Sequence, residues 1–514
     1  MTDLPVIVGI DAGTTAVKAT VLTTDGRQLS TARESVRVAH PRRDRAEQSM
    51  HEVWQAVAAT VRAALADAGE IEVAVVGVTG QGDGAWLLDE HHDPVGPAVL
   101  WLDGRAADRV RTWEADGRAE LLRRTTGSVL FPGALPVLLE ELEAGDPGLL
   151  ARARHQANCK DWIRLRLTGV LETDSSEASR TYLDVATGEY SLELVERLGH
   201  QRFVHLLPPI ARAWAHRPLR SEAAAELGLP AGIPVVTGLV DTAAAGVGLA
   251  IADPGQSYAI IGTTAFLGTV HASAADRRTD AGITIATGLD GAVLECLAPM
   301  SGTPNLEWAR TVAGRASASW HEIEAEARTV GPGAGGVLYL PYGAESGERA
   351  PFSDVHASAG WLGLSTATTA AQLLRAVYEG LALSLRECRE ALAVKGNIRL
   401  CGGAAASSLL CQVLADVTGC TIERATADEL GARGVGAVGL AALASSPDVA
   451  GAAARLLGEL DVFEPDPAAA AFHDRQYATF LAIRDSVRPH WPELRTLRQA
   501  PASHTDNEQE PHDG

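Results

Sequence analysis

The stretch VIVGIDAGTTAVKATVL, residues 6–22, decides the fold, and it has a counterpart in SYAIIGTTAFLGTVH, residues 257–271. In each stretch an apolar run leads into Gly-Thr-Thr and a second apolar run follows, which predicts two strands joined by a tight turn. The two tripeptides, at 13–15 and 262–264, lie about half a chain apart. Because the same flanking hairpin occurs twice, the sequence predicts an internal duplication.

The segments after the two hairpins repeat one order of elements. The first hairpin is followed by a third strand, by a helix that begins at a Ser49–Glu52 capping pair, and by the buried strand IEVAVVGV. The second is followed by a long amphipathic helix and then by the strand and Gly-rich turn of NIRLCGGAAASS. This order predicts an α/β protein of two similar domains, 1–250 and 251–490, with a disordered polar tail over 491–514.

Composition limits the class of protein and of partner. A chain of 514 residues exceeds what one hydrophobic core usually serves. Its net charge of -21 argues against a nucleic-acid partner and against an anionic membrane surface, since both would repel it. Neither the N-terminus nor the uncharged run between Arg433 and Asp448 fits a signal peptide or a membrane span. The six cysteines have no C-x-x-C spacing, so we expect reduced thiols in a cytoplasmic protein.

The first Gly-Thr-Thr turn carries groups that suit an anionic ligand. Asp11 ends an apolar strand, and the carboxyl edge of a sheet is where α/β proteins bind ligands. Thr14 and Thr15 offer hydroxyl and N–H donors, and Lys18 could reach the same anion. The sequence contains neither a Walker P-loop nor a G-x-G-x-x-G turn here. The alternative is a surface hairpin with a capped turn.

The second turn and a second carboxylate favour phosphoryl transfer. Two phosphate-sized turns facing each other across a cleft could grip the β- and γ-phosphates of a nucleotide, and closure of the cleft would exclude water. Asp241 ends the buried strand IPVVTGLVD, where a general base for an attacking hydroxyl could be held. The alternative for Asp241 is an N-cap of the following helix.

Three further motifs predict ligand contacts. Gly402 and Gly403 would let a flat ligand approach the backbone, or would serve close helix–strand packing. In GQGDGAW, the polar heads of Gln81 and Asp83 lie beside glycines, which suits a small polyhydroxylated ligand as well as it suits an exposed turn. In LWLDGR, the Trp and Asp are either an aromatic wall with a charged neighbour or a core Trp with a surface ion pair.

With these motifs assembled, the chain resembles the FGGY family of carbohydrate kinases over nearly its whole length. The matching motifs stand in the family's order: GIDAGTTAVKA, GQGDGAWLLD, LWLDGR, CKDWIRLRLTG with TDSSEAS, GLVDTAAAGVG, IIGTTAFLG, YLPYGAESGERAPF and LCGGAAASSLLCQVLADVTG. The resemblance implies two ribonuclease-H-like domains of the actin/hexokinase type of ATPase, flanking a central cleft that binds ATP and a sugar or polyol.

The resemblance also implies a role for each nucleotide-side residue. Mg²⁺ would be held by Asp11, through water, and by Asp241. The phosphates of ATP would be contacted from the first domain by Thr14, Thr15 and Lys18 and from the second by Gly262 and Thr263. The adenine site would be lined by Gly402, Gly403 and Ala404. Ala404 and Ala406 depart from the family, which has a third Gly and a basic residue at these positions.

On the acceptor side, the resemblance makes Asp241 the base that contacts and deprotonates the acceptor hydroxyl. The residues that match positions at or near the sugar site are Gln81, Asp83, Trp101, Asp103 and Lys160. Within the family, GQGDG is most similar to erythritol kinases and related polyol kinases, which implies a four-carbon polyol as the acceptor. The alternatives are a xylulose-type ketopentose, glycerol, or a nucleotide-gated binding module without transfer activity. A homodimer is a further expectation.

Overall fold

The computed structural model describes residues 5–289 and 291–499, and within them two seven-stranded sheets dominate. The strands of the first sheet are β1 (Val6–Ala12), β2 (Ala16–Thr23), β3 (Gln28–Ser35), β4 (Val73–Gly80), β5 (His216–Pro218), β6 (Pro234–Val236) and β7 (Leu239–Val240). Those of the second sheet are β8 (Ser257–Ile261), β9 (Ala265–His271), β10 (Ile283–Ala286), β11 (Val293–Leu297), β12 (Ile398–Cys401), β13 (Ile422–Ala425) and β14 (Leu460–Phe463).

The two sheets share one topology. In the first, β1, β2 and β3 form an antiparallel meander, and β4 and β6 continue the sheet parallel to β1. In the second, β8, β9 and β11 form the meander, and β12 and β13 run parallel to β8. This repeated order confirms the prediction of two ribonuclease-H-like halves. The predicted boundary at residue 250 falls between the last helix of the first half and β8.

Four helices are labelled α1 (Met50–Ala68), α2 (Asp241–Gly248), α3 (Ala370–Ala391, the long amphipathic helix predicted after the second hairpin) and α4 (Leu430–Leu443). The other α-helices are Ala107–Asp116, Arg118–Thr126, Leu135–Gly145, Pro147–Arg152, Cys159–Thr168, Ser175–Ala178, Leu192–Arg197, Ser221–Leu227, Pro304–Val312, Trp320–Arg328, Ser408–Thr418, Val449–Leu456, Pro467–Val487 and Trp491–Gln499. Short paired strands lie at Glu47–Gln48, Trp86–Leu88, Ala98–Val99, His155–Ala157, Thr173–Asp174, Leu183–Asp184, Glu189–Tyr190, Ile210–Ala211, Leu338–Leu340 and Gly360–Leu362. No helix in the described ranges is long and apolar enough to cross a membrane.

Both predicted hairpins form, and their apolar runs are buried on both faces. In the first hairpin Asp11 lies opposite Lys18. Val8 packs into the core on the α1 side of the sheet, whereas Ile7 packs into the core beside α2 and α4. Ser49 caps α1 by accepting the backbone N–H of Glu52, as its sequence predicts. A strand covered on both faces explains why VIVGI is apolar without alternation.

Helices α2 and α4 cross where the two halves meet, and their backbones come very close. A Cβ on Gly434 of α4 would lie 1.9 Å from the carbonyl oxygen of Ala244, and one on Gly248 of α2 would lie 2.0 Å from that of Leu430. Since real Cβ atoms need more than 3 Å, only glycine permits this crossing. The crossing fixes the start of α2 and the start of α4 relative to each other.

The C-terminal segment corrects the sequence prediction in part. We predicted disorder over 491–514, but Trp491–Gln499 is a helix. Its anchor is Trp491, which is buried and stacks on Phe352 with ring centroids 6.3 Å apart, and which meets the ring edge of Tyr342 at 5.5 Å. One large buried aromatic side chain thus anchors a segment whose other large apolar side chains, Leu494 and Leu497, are exposed. The rest of the predicted tail, 500–514, lies outside the described residues.

Candidate active site

A cavity of about 330 Å³ lies between the two halves of the molecule. It brings together three of the predicted acceptor-side residues, Asp83, Trp101 and Asp241. The polar or charged residues that line it are Asp83, Trp101, Arg180, Asp241, Thr242, Thr264 and Arg349. Its apolar wall is formed by Val129, Phe131, Val240, Phe266, Ile283 and Ile285. The cavity therefore combines a few convergent polar groups with an apolar surround, as small-molecule sites commonly do.

Asp241 is held rigidly at the floor of this cavity. It is the first residue of α2, and its Oδ1 accepts the backbone N–H of Thr242 at 2.6 Å and the hydroxyl of Thr242 at 3.0 Å. Just before it, the backbone N–H of Val240 donates to the hydroxyl of Ser176 at 2.9 Å. The helix cap is Val240, so the alternative that Asp241 is the N-cap residue is wrong.

The environment of Asp241 makes its carboxylate more basic. Loss of solvation raises its pKa from 3.8 to about 6, and the charge of Asp83 acts in the same direction, while the hydrogen bonds from Thr242 oppose the rise. A carboxylate with a pKa near the working pH is a better proton acceptor than an exposed one. Asp241 can therefore act as a general base toward a hydroxyl in the cavity.

The raised pKa predicts the pH dependence of activity. A base must be deprotonated to act, so kcat/KM should be half its plateau value near pH 6, full about one pH unit higher, and should approach a tenfold fall per pH unit at lower pH, as Asp241 takes up a proton. The measurement is kcat/KM for the acceptor from pH 4.5 to 8.5, with circular dichroism over the same range as the control for unfolding. An acid limb that remains at the ordinary aspartate value of about 4 would contradict it.

Asp83 pairs with an arginine that sequence reasoning did not select. Arg180 Nε lies 3.2 Å from both carboxylate oxygens of Asp83, and its guanidinium stands 5.3 Å from the ring centroid of Phe131. Asp83 has a left-handed backbone with φ 62°, and the adjacent Gly82 is tightly packed because a Cβ there would lie 2.5 Å from Val240 Cγ2. Arg180 directly follows the TDSSEAS motif, and nothing in the adjacent sequence indicates that it pairs with Asp83, 97 residues away.

A second arginine, Arg349, reaches the cavity from the other half. Its Nε donates to the carbonyl oxygen of Ala298 at 2.7 Å, which leaves its terminal nitrogens for other acceptors. It stands within YLPYGAESGERAPF, where its cavity position could not be read from the local pattern. The cavity thus holds one carboxylate–guanidinium pair and one further guanidinium.

Trp101 and Gln81 connect the acceptor side to the first Gly-Thr-Thr turn. Trp101 is 41% exposed, and its ring N–H donates to the hydroxyl of Thr14 at 3.0 Å. The side-chain amide of Gln81 is buried and donates to Gln48 Oε1 at 2.9 Å, and the amide of Gln48 donates to the carbonyl oxygen of Thr14 at 3.0 Å. Gln81 is not among the residues that line the cavity. It braces the turn through Gln48.

Asp103 and Lys160 are corrections to the predicted acceptor site. The buried carboxylate of Asp103 accepts the backbone N–H of Ala46 at 2.7 Å and pairs with Arg105 at 2.8 Å, so its oxygens are committed to the loop. Lys160 is fully buried and forms ion pairs with Asp161 at 2.5 Å and Asp174 at 2.9 Å. Neither residue lines the cavity. The charge of each residue is instead neutralised by a buried partner within the protein.

The first predicted phosphate turn is open to solvent, and Lys18, which follows it, forms an ion pair with Glu429. Thr15 is exposed and Thr14 is partly buried. Lys18 Nζ lies 3.1 Å and 3.0 Å from the two carboxylate oxygens of Glu429, which directly precedes α4. Glu429 was not selected from the sequence, since its partner is 411 residues away along the chain.

The second predicted phosphate turn is braced from the helix Pro304–Val312. The backbone N–H and the hydroxyl of Thr303 donate to the carbonyl oxygen of Gly262 at 2.7 Å and 2.9 Å. Thr263 is exposed, and a Cβ built on Gly262 would meet nothing within 4 Å. The turn is therefore held by hydrogen bonds on one side and is open to solvent on the other, where an anion could bind.

The carboxylates near the first turn fit a magnesium ion. Burial raises the pKa of Asp11 to about 6, and the charges of Asp241 and Glu429 raise it while Lys18 lowers it, so these groups share one electrostatic neighbourhood. Mg²⁺ in kinase sites is bound by one or two carboxylates together with phosphates and water. In the part of the chain that the structure describes, no group of three or more acidic, His or Cys side chains could hold a metal alone. Asp11 and Asp241 are therefore the candidates for the carboxylate part of such a site.

A larger cavity, of about 1210 Å³, lies in the second half beside the Gly-rich turn after β12. Among the residues that line it are Gly403, Ala404, Ala406, Trp308 and Trp320. Gly402 needs its positive φ of 94°, and a Cβ on it would lie 2.7 Å from the carbonyl oxygen of Ile261, so it serves close packing. A Cβ on Gly403 would meet nothing within 4 Å, so this position is open for a flat ligand. Of the two alternatives that the sequence left open, close packing therefore applies to Gly402 and an open position for a ligand to Gly403.

Comparison with known proteins agrees with this geometry. The N-terminal domain model of the FGGY family of carbohydrate kinases matches residues 6–248, and the C-terminal domain model matches residues 257–445. The chain is 33% identical to the erythritol kinase of Brucella abortus, over 95% of this chain and 98% of that one. It is 31% identical to the L-xylulose/3-keto-L-gulonate kinase of Escherichia coli, over 83% and 86% of the two chains.

A solved structure shows the same fold. The gluconate kinase of Lactobacillus acidophilus superimposes with a TM-score of 0.88 at 22% identity, covering 96% of this chain and all of that one. Both family domains are present in order, and together they span most of the chain. The protein therefore belongs to the FGGY family of carbohydrate kinases and is an ATP-dependent phosphotransferase.

Proposed function

We propose that this kinase transfers the γ-phosphoryl group of Mg-ATP to a hydroxyl of a four-carbon polyol, with erythritol as the best candidate. The observation that carries the proposal is the convergence of Asp241 with the Asp83–Arg180 pair in one cavity between the two halves. We assign nucleotide binding to residues 251–490 and acceptor binding to residues 1–250, with Arg349 completing the acceptor cavity from the second half.

In the proposed transfer, Asp241 takes the proton of the acceptor hydroxyl as that oxygen attacks the γ-phosphorus. A new O–P bond forms, the bond from the γ-phosphorus to the β,γ-bridging oxygen breaks, and ADP leaves with the electron pair. The two Gly-Thr-Thr turns hold the phosphates from opposite sides. Mg²⁺, when held by Asp11 and Asp241, supplies positive charge to the phosphate oxygens.

The acceptor class follows from the chemistry of the cavity. The Asp83 carboxylate accepts hydrogen bonds from hydroxyls, and Arg180 and Arg349 donate them, so neighbouring hydroxyls of a linear chain find both kinds of partner. The wall of Phe131, Phe266 and Val240 suits the C–H edges of such a chain. Similarity to an erythritol kinase over nearly the full length supports four carbons.

A ketopentose is the second candidate, favoured by the relative that acts on L-xylulose and 3-keto-L-gulonate. A cavity of about 330 Å³ accepts five carbons as well as four, so volume does not separate the two. A nucleotide-gated binding module is a weaker candidate, because it would have no use for a buried base beside a hydroxyl-binding pair.

An ADP-release assay with Mg-ATP tests the acceptor. Glycerol, erythritol, both threitols, the pentitols, and D- and L-xylulose are compared by kcat/KM, and we expect the highest value with a four-carbon polyol. A clear preference for xylulose or glycerol would overturn the acceptor assignment. ATP turnover that no acceptor stimulates would favour the binding module.

The same assay tests the acceptor-binding pair. Arg180→Met should raise KM for the best acceptor at least tenfold and leave KM for ATP within about twofold, since it removes a charged hydrogen-bond donor from the acceptor cavity alone. Arg217→Met is the matched control, because Arg217 pairs with Glu172 on an exposed surface outside both cavities.

A further inference from the structure

The two helices that cross between the halves begin with the same sequence pattern. Asp241 is followed after four residues by Gly-Val-Gly at 246–248, and Glu429 is followed after four residues by Gly-Val-Gly at 434–436. The first pattern forms α2 and the second opens α4, so the duplication places one acidic residue at the start of each crossing helix. Asp241 is the proposed base, and Glu429 has no role in the mechanism so far.

Glu429 contacts Lys18, which lies on β2 just after the first phosphate turn, across the interface between the halves. Both of its carboxylate oxygens face Lys18 Nζ, at 3.1 Å and 3.0 Å, and the side chains of Lys18 and Glu429 are 34% and 14% exposed. Glu429 has a left-handed backbone with φ 55° and ψ 48°, a conformation that costs a non-glycine residue free energy. Strain of this kind persists only where the surroundings fix the residue.

Without Glu429, the ammonium of Lys18 would have another carboxylate nearby with which to pair, that of Asp11. Lys18 is paired with Asp11 across β1 and β2, and side chains on directly opposed residues of antiparallel strands lie on one face of the sheet. Lys18 would then turn toward Asp11 and cancel the charge of the carboxylate proposed to serve Mg²⁺. An ammonium has three donors, so Lys18 held by Glu429 still has hydrogen-bonding capacity for a phosphate oxygen.

We propose that Glu429 is a positioning residue for phosphoryl transfer, which holds the Lys18 ammonium away from Asp11 and directed at the transferring phosphate. The proposal rests on the proposed contact of Lys18 with the γ-phosphate and is independent of which acceptor is used. It makes Glu429 the C-terminal counterpart of Asp241, with a different role at a matching position.

The test compares Glu429→Gln, Lys18→Met and the double variant by steady-state kinetics and by calorimetric titration with ATP. Glu429→Gln should lower kcat at least tenfold with the ATP dissociation constant within threefold, since the amide loses the charge that holds the ammonium. The double variant should be no slower than Lys18→Met, because Glu429 acts only through Lys18. Glu429→Asp keeps the charge on a shorter side chain and should give an intermediate kcat.

Two outcomes would overturn the proposal: an unchanged kcat in Glu429→Gln, or a double variant whose loss equals the product of the single losses. Glu423→Gln is the matched control, since Glu423 pairs with Arg399 at 2.9 Å at similar exposure, outside both cavities, and should keep the wild-type kcat. The rates are measured with whichever acceptor is fastest, or as ATP hydrolysis if none is accepted. A wrong acceptor assignment would therefore leave this result readable.

Discussion

Replacing Asp241 with Asn should lower kcat at least 1,000-fold, about the upper part of the range for a general base. The amide has the shape of the carboxylate and can still accept the hydrogen bonds of Thr242 through its oxygen, but it cannot take up the proton of the acceptor. The adenine-side cavity is formed by other residues, so the dissociation constant of ATP measured without Mg²⁺, which Asp241 is proposed to help hold, should remain within about threefold.

Rapid-quench single-turnover measurement of the transfer step checks this result. Asp448→Asn is the control, since Asp448 is the N-cap of the helix Val449–Leu456, accepts the backbone N–H of Gly451 at 2.8 Å, and lies outside both cavities. Its kcat should equal that of the unaltered enzyme. If Asp241→Asn retained a kcat within tenfold of the unaltered enzyme, Asp241 would not be the base.

Local pattern was enough to predict the parts of the fold that local chemistry dictates. The two hairpins, the α1 cap at Ser49 and the carboxylate at the start of α2 each follow from a few adjacent residues. Because the duplication repeats these short-range signals, it also predicted the two matching sheets.

Pairing over long distances was beyond the reach of the sequence. Arg180 is 97 residues from its partner Asp83, and Glu429 is 411 residues from Lys18. Asp103 shows the opposite error, since the resemblance placed it at or near the sugar site, whereas Arg105 and a backbone N–H satisfy its carboxylate. Which charge is neutralised inside the protein and which faces a cavity depends on tertiary packing.

Replacing Gly434 with Ala should strongly destabilise the protein and impair catalysis. The added Cβ would lie 1.9 Å from the carbonyl oxygen of Ala244 and 3.0 Å from the backbone nitrogen of Gly248, so α2 and α4 would have to move apart. Helix α4 cannot retreat, because a Cβ on Gly9 would already meet Ala432 at 2.7 Å on its other side. We expect a loss of about 3 kcal/mol of stability, near the upper end of ordinary overpacking.

The same helix supplies the control. At Gly436 a Cβ would come no nearer than 3.4 Å to the side chains of Ile7 and Leu456, an ordinary contact, so Gly436→Ala should keep or raise the melting temperature through the helix propensity of Ala. Gly434→Ala should lower both the melting temperature and kcat, because separating the helices moves Asp241 at the start of α2. Equal melting temperatures for the two variants would contradict the close crossing. A lowered melting temperature with an unchanged kcat would mean that the crossing supports the fold without fixing the base, so the two readouts together separate stability from catalytic geometry.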